Sequence, residues 1–419
     1  MRYTGEFRRR RLLSPAIGGA CAAALLAGAV TATVAGQDGA AAAGETYVRP
    51  ASGAWVIEGR GYGHGRGMAQ WGARAAAVAG RDAQQILAFY YPGTTRAAIG
   101  NPLIRVRVGP DPNLVVGPAA GLRVAWRGGS IALPSSPGVD RWRILGRGAG
   151  LGLLYHDARG WRSWGPALPA VVEVTSSRPA LRVHRRDSTS VDYRGSLAAA
   201  RSGAGTVVVN RLPMQAYLRG VVPRESPASW PVESLRAQAV AARTYAAAAM
   251  RAPRSSLYDL CDTTACQVYG GATRYAASGT RLSGEEPRTS AAIESTAGVV
   301  LTSGGRPAVT EFSASNGGFT VGGSLPYQVS KADPFTAGDP YRVWSQRVRV
   351  SDLAARFGLS RLDYVRVTGR DGRGAYGGRL TSVLLAGSRA GKPYSTTVGG
   401  GTFRSALGLR STYLTFRTG

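Results

Sequence analysis

Between residues 101 and 213 apolar and polar side chains alternate in short runs bounded by glycine and proline. LIRVRV at 103–108, GLRVAW at 121–126, AVVEV at 170–174 and GTVVVN at 205–210 each predict a strand, because a period of two turns one face inward. Helical spacing appears elsewhere. Residues 73–78 and 83–90 predict short helices that end at Tyr91-Pro92-Gly93. Residues 232–250, rich in Ala, Leu, Gln and Arg after Pro231, predict a long one, with Glu233 placed to complement its N-terminal dipole. Downstream, a short helix is expected over 289–297, and strands over 298–302, 309–315, 364–368 and 380–385. The class is α+β: a mixed, strand-rich core with a central helix, plus a β-rich inserted region.

Just ahead of the long helix, VVPRESP at 221–227 reads as strand-like residues entering a turn, with Glu225 between Pro223 and Pro227. Each proline fixes its own φ and biases the residue before it away from helix. Glu225 is thus expected on a stiff backbone, either as a catalytic acid or as a carboxylate capping the helix. A second candidate lies upstream in GRGYGHGRGMAQWGA, residues 59–73, where alternating glycines permit positive φ and close backbone approach, as ligand-facing loops require. It is not a phosphate loop, since the lysine and hydroxyl of that motif are missing. His64, flanked by glycines, is either reachable by a ligand or a structural residue of a tight turn. Trp126, Trp142, Trp161 and Trp164 either stack on saccharide or fill the core.

Charge changes the choice of partner. The chain of 419 residues carries a formal net charge of +28, nearly all from arginine, with lysine at Lys331 and Lys392. Such a balance suits polyanions: nucleic acid, anionic lipid or anionic wall polymer. Arg8 to Arg11 precede a Leu/Ala/Gly/Val-rich run and then Ala40 to Ala43, the pattern of a secretory signal peptide over 1–43; the apolar run is also long enough for an uncleaved signal anchor. Export argues against nucleic acid and for the cell envelope, secreted or wall-associated. In an exported chain Cys261 and Cys266 read as a disulfide, worth roughly 2 kcal/mol in the chain-entropy model. A metal site there would need two further ligands, and no histidine is near in sequence.

Several spaced blocks carry a resemblance. VVNRLPMQAYLRGVVPRESPASWPVESLRAQAVAARTYA at 208–246, then DTTACQVYGG, TAGVVLTSGG, FSASNGG and FRSALGLRSTYLTF, resemble the stage II sporulation protein D family, which includes peptidoglycan lytic transglycosylases and the related amidase enhancers. The resemblance covers about residues 180–415, and the glycine-rich GHG block together with ILAFYYPGT resembles a further part of it. In many members that block follows the LGLRST strand; here it lies near the N-terminus. The order implies a permuted arrangement, in which the strand around 55–58 docks beside the C-terminal one and returns His64 to the cleft of Glu225. Residues 44–100 would then complete a catalytic core at 180–419, with 101–179 inserted between them. Two departures matter: Gln215-Ala216 stand where members often have a carboxylate, and the zinc ligands of some members are not carried over, so no metal or other cofactor is expected.

The resemblance implies glycan chemistry that needs a single carboxyl group. Glu225 would protonate the leaving glycosidic oxygen of a MurNAc–GlcNAc β-1,4 bond, then accept a proton from the muramic C6 hydroxyl as it closes a 1,6-anhydro ring. Hydrolases of the two-carboxylate type need a second group. Such an acid needs its pKa raised, by apolar burial among prolines and Trp230, and Arg224 must point away. By resemblance Gln238, Arg243 and Tyr245 on the helix, Ser315 and Asn316 on the SNGG turn, and His64 and Gln70 would bind substrate, although Arg243 serves a structural pairing equally well. Peptidoglycan glycan strands and anionic wall polymers are the implied partners. The rival reading is a non-catalytic wall-binding enhancer of an N-acetylmuramoyl-L-alanine amidase.

Overall fold

The alternating runs become strands of two large sheets in the computed structural model, which describes residues 45–417. The expected leader lies outside those residues. In one sheet Leu103–Arg107 pairs with Gly205–Pro213, which continues through Ser196–Ser202, Val171–Thr175, Arg123–Trp126 and Gly129–Ala132. The other runs from Gly160–Ser163 through Gly150–Asp157, Arg141–Arg147, Leu114–Val116, Ala180–His184 and Ser190–Arg194 to Thr273–Tyr275 and Arg281–Gly284. Inward residues of both sheets, such as Ile104, Val124, Val174 and Leu197 from the first and Leu114, Ile144, Leu153 and Leu181 from the second, meet in one core. Strands from 101–179 therefore flank those of 180–213 on both sides in the first sheet and adjoin them in the second. Trp142 is part of that core, while Trp161 lies on its rim with the Arg143 guanidinium 3.6 Å from its ring centre.

Helices cover one side of this sheet pair. Helix α1 (Gln70–Val78) and α2 (Ala83–Tyr90) follow the glycine-rich loop, and α2 starts with a capping box between Asp82 and Gln85. Helix α3 (Met214–Glu225) and α4 (Val232–Arg251) form the centre, with α5 (Pro287–Ser295) packed across both. The strand-like reading of Val221-Val222 is corrected here. Both belong to α3, which runs through Pro223 to Glu225. Tyr217, Leu218, Val221 and Val222 recur at helical spacing, and all four are buried in the core, which outweighs the bias that proline places on Val222. Proline's missing N–H falls in the last turns, and the helix closes with Ser226 N–H donating to the Val222 carbonyl. Of the strand expected over 309–315, only Phe312–Ser313 forms, pairing in parallel with Met68–Ala69.

Residues 54–59 and 344–417 build a separate core. Ala54–Gly59 lies between Trp344–Arg349 and Leu414–Arg417, antiparallel to both, with Ile57 opposite Phe416 and Gly59 opposite Leu414. The two ends of the described chain thus share a sheet, which the permuted block order requires. Trp55, Ile57, Trp344, Leu353, Val365 and Phe416 pack with α6 (Val350–Arg356) and α7 (Gly400–Ala406) against the long hairpin of Arg361–Arg370 and Leu380–Arg389. No helix among the described residues is long and apolar enough to cross a membrane. Trp55 is fully buried at the join. Trp55→Ala should lower stability by roughly 3–5 kcal/mol, read as an earlier midpoint in urea unfolding.

Candidate active site

Glu225 sits at the C-terminal end of α3, half-buried, where the chain turns toward α4. Its Oε1 accepts a hydrogen bond from the Val268 main-chain N–H at 2.9 Å, and its Oε2 accepts one from Gln70 Nε2 at 3.1 Å. Both donors are neutral. Burial pushes the carboxyl above its ordinary value, and the two hydrogen bonds offset this only in part. Arg224 does not contribute to the shift, because its guanidinium lies on the other side, packed over Gly270: a Cβ on that glycine would be 2.5 Å from Arg224 Nε. Trp230, at the start of the next helix, packs edge-on to Trp71, with ring centres 4.9 Å apart, and braces the residue after Gln70.

Gln70 reaches Glu225 because the glycine-rich loop is locked to the SNGG turn. The loop and turn meet backbone to backbone. A Cβ on Gly61 would lie 2.9 Å from the main chain of Asn316 and Gly317, and one on Gly317 would lie 2.7 Å from Arg60 Cβ. Both glycines have positive φ, +75° and +73°. Trp71 N–H then donates to the Ala314 carbonyl at 3.0 Å, joining α1 to the segment before the turn. These glycines thus serve close approach to the protein's own chain, which corrects the expectation that their freedom is for a ligand.

The side chains of that turn are committed inward. Ser315 Oγ donates to Asp339 Oδ2 at 2.5 Å, and Asn316 Nδ2 donates to Asp333 Oδ2 at 2.6 Å. Asp333 also accepts from the Tyr90 hydroxyl at 2.7 Å, and burial pushes both aspartates above their ordinary range. The Tyr90–Asp333 pair lies directly against Gly72 of α1, where a Cβ would overlap the hydroxyl. His64 is similarly occupied: its Nδ1 accepts from the Arg66 main-chain N–H at 3.0 Å, and its ring also bonds the Phe312 backbone. Burial, then the Arg66 charge, push it down to about 4, so it is neutral at ordinary pH. Arg66 itself is held by a two-point ion pair to Glu311, at 2.7 Å for each bond.

On α4 the expected residues divide. Arg243 is buried, and its Nη atoms donate to the Ile293 and Val299 carbonyls and to Gln215 Oε1, pinning α5 and the following strand to α4 and α3. Gln215, noted as a departure, is its partner. Gln238 is buried with neither amide atom hydrogen-bonded among the described residues, and Tyr245 is half-buried against the core. Cys261 and Cys266 form a disulfide, so their sulfurs are not free as thiolate ligands, and no cluster of three or more metal-binding side chains occurs among the described residues. Sequence reasoning missed the Val268 N–H, a main-chain donor with no side-chain signature, and also Asp333 and Asp339. In a chain with 24 acidic residues against 52 basic ones, the aspartates shortly after the SNGG turn were the available signal.

Residues 202–303, which contain Glu225, Val268 and the disulfide, match the family model described as stage II sporulation protein. The amidase enhancer of Bacillus subtilis (strain 168) is 38% identical over 134 residues, covering 30% of this chain and 16% of the relative. Stage II sporulation protein D of the same organism is 27% identical over 216 residues, and that of Bacillus amyloliquefaciens 26% over 221, each covering 48% of this chain and 60% of the relative. The chain thus spans at most 60% of the length of these curated relatives. Over these segments the chain is similar to the stage II sporulation protein D and amidase enhancer family.

Proposed function

We propose that the protein is an exported, cell-wall-associated lytic transglycosylase acting on peptidoglycan glycan strands, with Glu225 as its single acid and base. The observation that carries this reading is the state of that carboxyl: half-buried, raised above its ordinary value, and held by two neutral donors with no cation against it. A protonated Glu225 gives its proton to the glycosidic oxygen as the bond to the muramic anomeric carbon breaks. The C6 hydroxyl of the same sugar attacks that carbon, and the carboxylate takes the hydroxyl proton. The products are a 1,6-anhydro end and a free 4-hydroxyl, with no water consumed and the carboxyl restored. Val268 N–H and Gln70 then have a definite role, since each stabilises the carboxylate in the second half of the cycle.

A second reading is favoured by the segment similar to the amidase enhancer, the stretch of higher identity among these relatives. In it the protein binds wall and stimulates a separate amidase, and Glu225 is structural. Mass spectrometry of purified glycan strands after incubation separates the two. Glu225→Gln should reduce release of anhydromuramyl ends by at least about a hundredfold while leaving wall binding intact. Release at the wild-type rate by that variant would remove the catalytic assignment.

Gln70 offers a pH test. Its hydrogen bond holds the Glu225 pKa down, so Gln70→Leu should raise that pKa further. The acid form then persists to higher pH, and the alkaline limb of the pH–rate profile should move upward, by roughly one unit for one lost hydrogen bond to a charged group. A profile that keeps its limb in place would dissociate Gln70 from the carboxyl.

Gly72 tests how Gln70 is positioned. Gly72→Ala should cost about 1–3 kcal/mol, read from thermal or urea unfolding, and should lower turnover as α1 shifts. Adding Tyr90→Phe removes the hydroxyl that the new methyl would strike and should recover part of both.

A further inference from the structure

Two open cavities, of about 780 and 800 Å³, run together on the far side of the chain segment that holds Glu225. Arg185 and Arg186 line both and mark where they join. Arg107, Arg224 and Arg274 line the first, beside Val268, and Arg141 and Arg143 line the second. The cations of this trough come from different elements: Arg107 from the first sheet, Arg141, Arg143 and Arg274 from the second, and Arg224 from α3. Arg107, Arg143, Arg186 and Arg224 have no ion-pair partner among the described residues, and Arg185 is shared loosely between Asp111 and Asp262, at 4.0 and 3.9 Å. The acids of the lining are already engaged within the chain. Asp262 accepts from the Gly109 N–H at 2.8 Å, Asp187 accepts from the Thr189 N–H at 3.0 Å, and Asp111 faces Arg185. Burial and the neighbouring Arg274 push the Arg224 pKa down, and burial and Arg141 do the same to Arg143, so bound anions would relieve both.

We propose that this trough binds a phosphodiester polymer of short polyol units, of the polyglycerol phosphate type, and so anchors the protein in the wall while a separate face acts on glycan. The inference rests on the wall-associated part of the functional reading and not on the chemistry of Glu225. Cations recur along both cavities, which suits a chain with an anion at every repeat over a single small anion. The aromatic rings of the lining decide what lies between those anions. Tyr193 and Tyr269 are buried, and Trp161 packs against the Arg143 guanidinium, 3.6 Å from its ring centre, and the His156 ring at 4.9 Å. Single-stranded nucleic acid gains much of its affinity from bases stacked on open aromatic faces, and the rings of this trough are already engaged. The same engagement disfavours a polymer of ring-shaped uronic acids. Glycerol or ribitol units are small and flexible and need only room between their phosphates. Guanidinium forks grip the two free oxygens of each phosphodiester in two-point hydrogen bonds, which supplies selectivity as well as affinity.

Isothermal titration of the full chain with polyglycerol phosphate tests the idea, alongside polygalacturonate and oligothymidylate at equal charge concentration and low ionic strength. Arg107 and Arg141 are exposed, one in each cavity, so Arg107→Gln, Arg141→Gln and the double variant should fold normally. Arg81→Gln/Arg306→Gln removes the same charge from exposed positions that line neither cavity. Polyglycerol phosphate should bind more tightly than the other two polymers and weaken about tenfold or more in the double variant, with the control pair unchanged. Absence of binding, unchanged binding by the double variant, an equal loss in the control pair, or equally tight binding of polygalacturonate or oligothymidylate would overturn it. Glu225→Gln should bind the polymer as the wild type does, and release of anhydro ends from purified glycan strands is measured in parallel. If that release is missing while arginine-dependent polymer binding stands, the reading of Glu225 fails and the trough assignment survives; the reverse pattern removes the trough assignment alone.

Discussion

The contact between the glycine-rich loop and the SNGG turn governs the rest of the site, because neither backbone leaves room for a side chain. Gly61 and Gly317 face one another at a separation that a Cβ on either would violate, both in a conformation that other residues seldom adopt. From that contact two elements follow. Upstream, Gly59 pairs with Leu414, closing the sheet that joins both ends of the described chain. Downstream, the loop delivers Met68–Ala69 into a short pairing with Phe312–Ser313, so that α1 begins with its first side chain already aimed at Glu225. Trp71 N–H, donating to the Ala314 carbonyl, and the packing of α1 on α4 then hold Gln70 in that direction.

Electrostatics makes that delivery necessary. In a chain with a formal charge of +28, most carboxylates are claimed by arginine, as Glu311, Glu285 and Asp259 are. Glu225 is spared by helix geometry. Arg224 precedes it by one residue, and consecutive positions on a helix point about 100° apart, so the two side chains leave α3 on different faces. One enters the cavity beside Gly270 and the other meets Val268 and Gln70. Neutral donors stabilise a carboxylate less than a guanidinium does, and burial therefore keeps the upper hand.

Much of this was legible along the chain, and the failures have physical causes. The period-two runs at 103–108, 170–174 and 205–210 became strands because each buries one face, and the helix after Pro231 formed where composition placed it. Val221-Val222 misled because a local proline bias was weighed without the helical recurrence of Tyr217, Leu218, Val221 and Val222, which only the core rewards. Glu225 and Gln70 could be named, but their meeting spans 155 positions and depends on two glycines fitting together. Ser315, Asn316 and Arg243 could be named too, and the structure spends their polar atoms on Asp339, Asp333 and main-chain carbonyls. A polar residue in a motif is as readily the mortar of a site as its working surface, and sequence does not distinguish donors that face inward from those that face a ligand.

The segment from Leu260 to Gly270 joins these threads. Leu260-Cys261 is fixed to the first sheet by parallel pairing with Val106-Arg107, and Gly270 N–H donates to the Gly220 carbonyl of α3. Between these anchors the chain has little regular structure to hold it. The Cys261–Cys266 bridge closes the first half, with Cα atoms 5.6 Å apart, and Gln267 bonds Tyr217 on α3 and the Ala242 carbonyl on α4. Val268 is left with a single place to direct its N–H. The loop is short, so the bridge restricts the unfolded chain modestly, and its larger consequence is local: a donor without a side chain can be positioned only by fixing the backbone on either side. The same fixed backbone is the wall of the arginine cavity, so a ligand's contacts there and the hold on Glu225 are made by opposite sides of one strap.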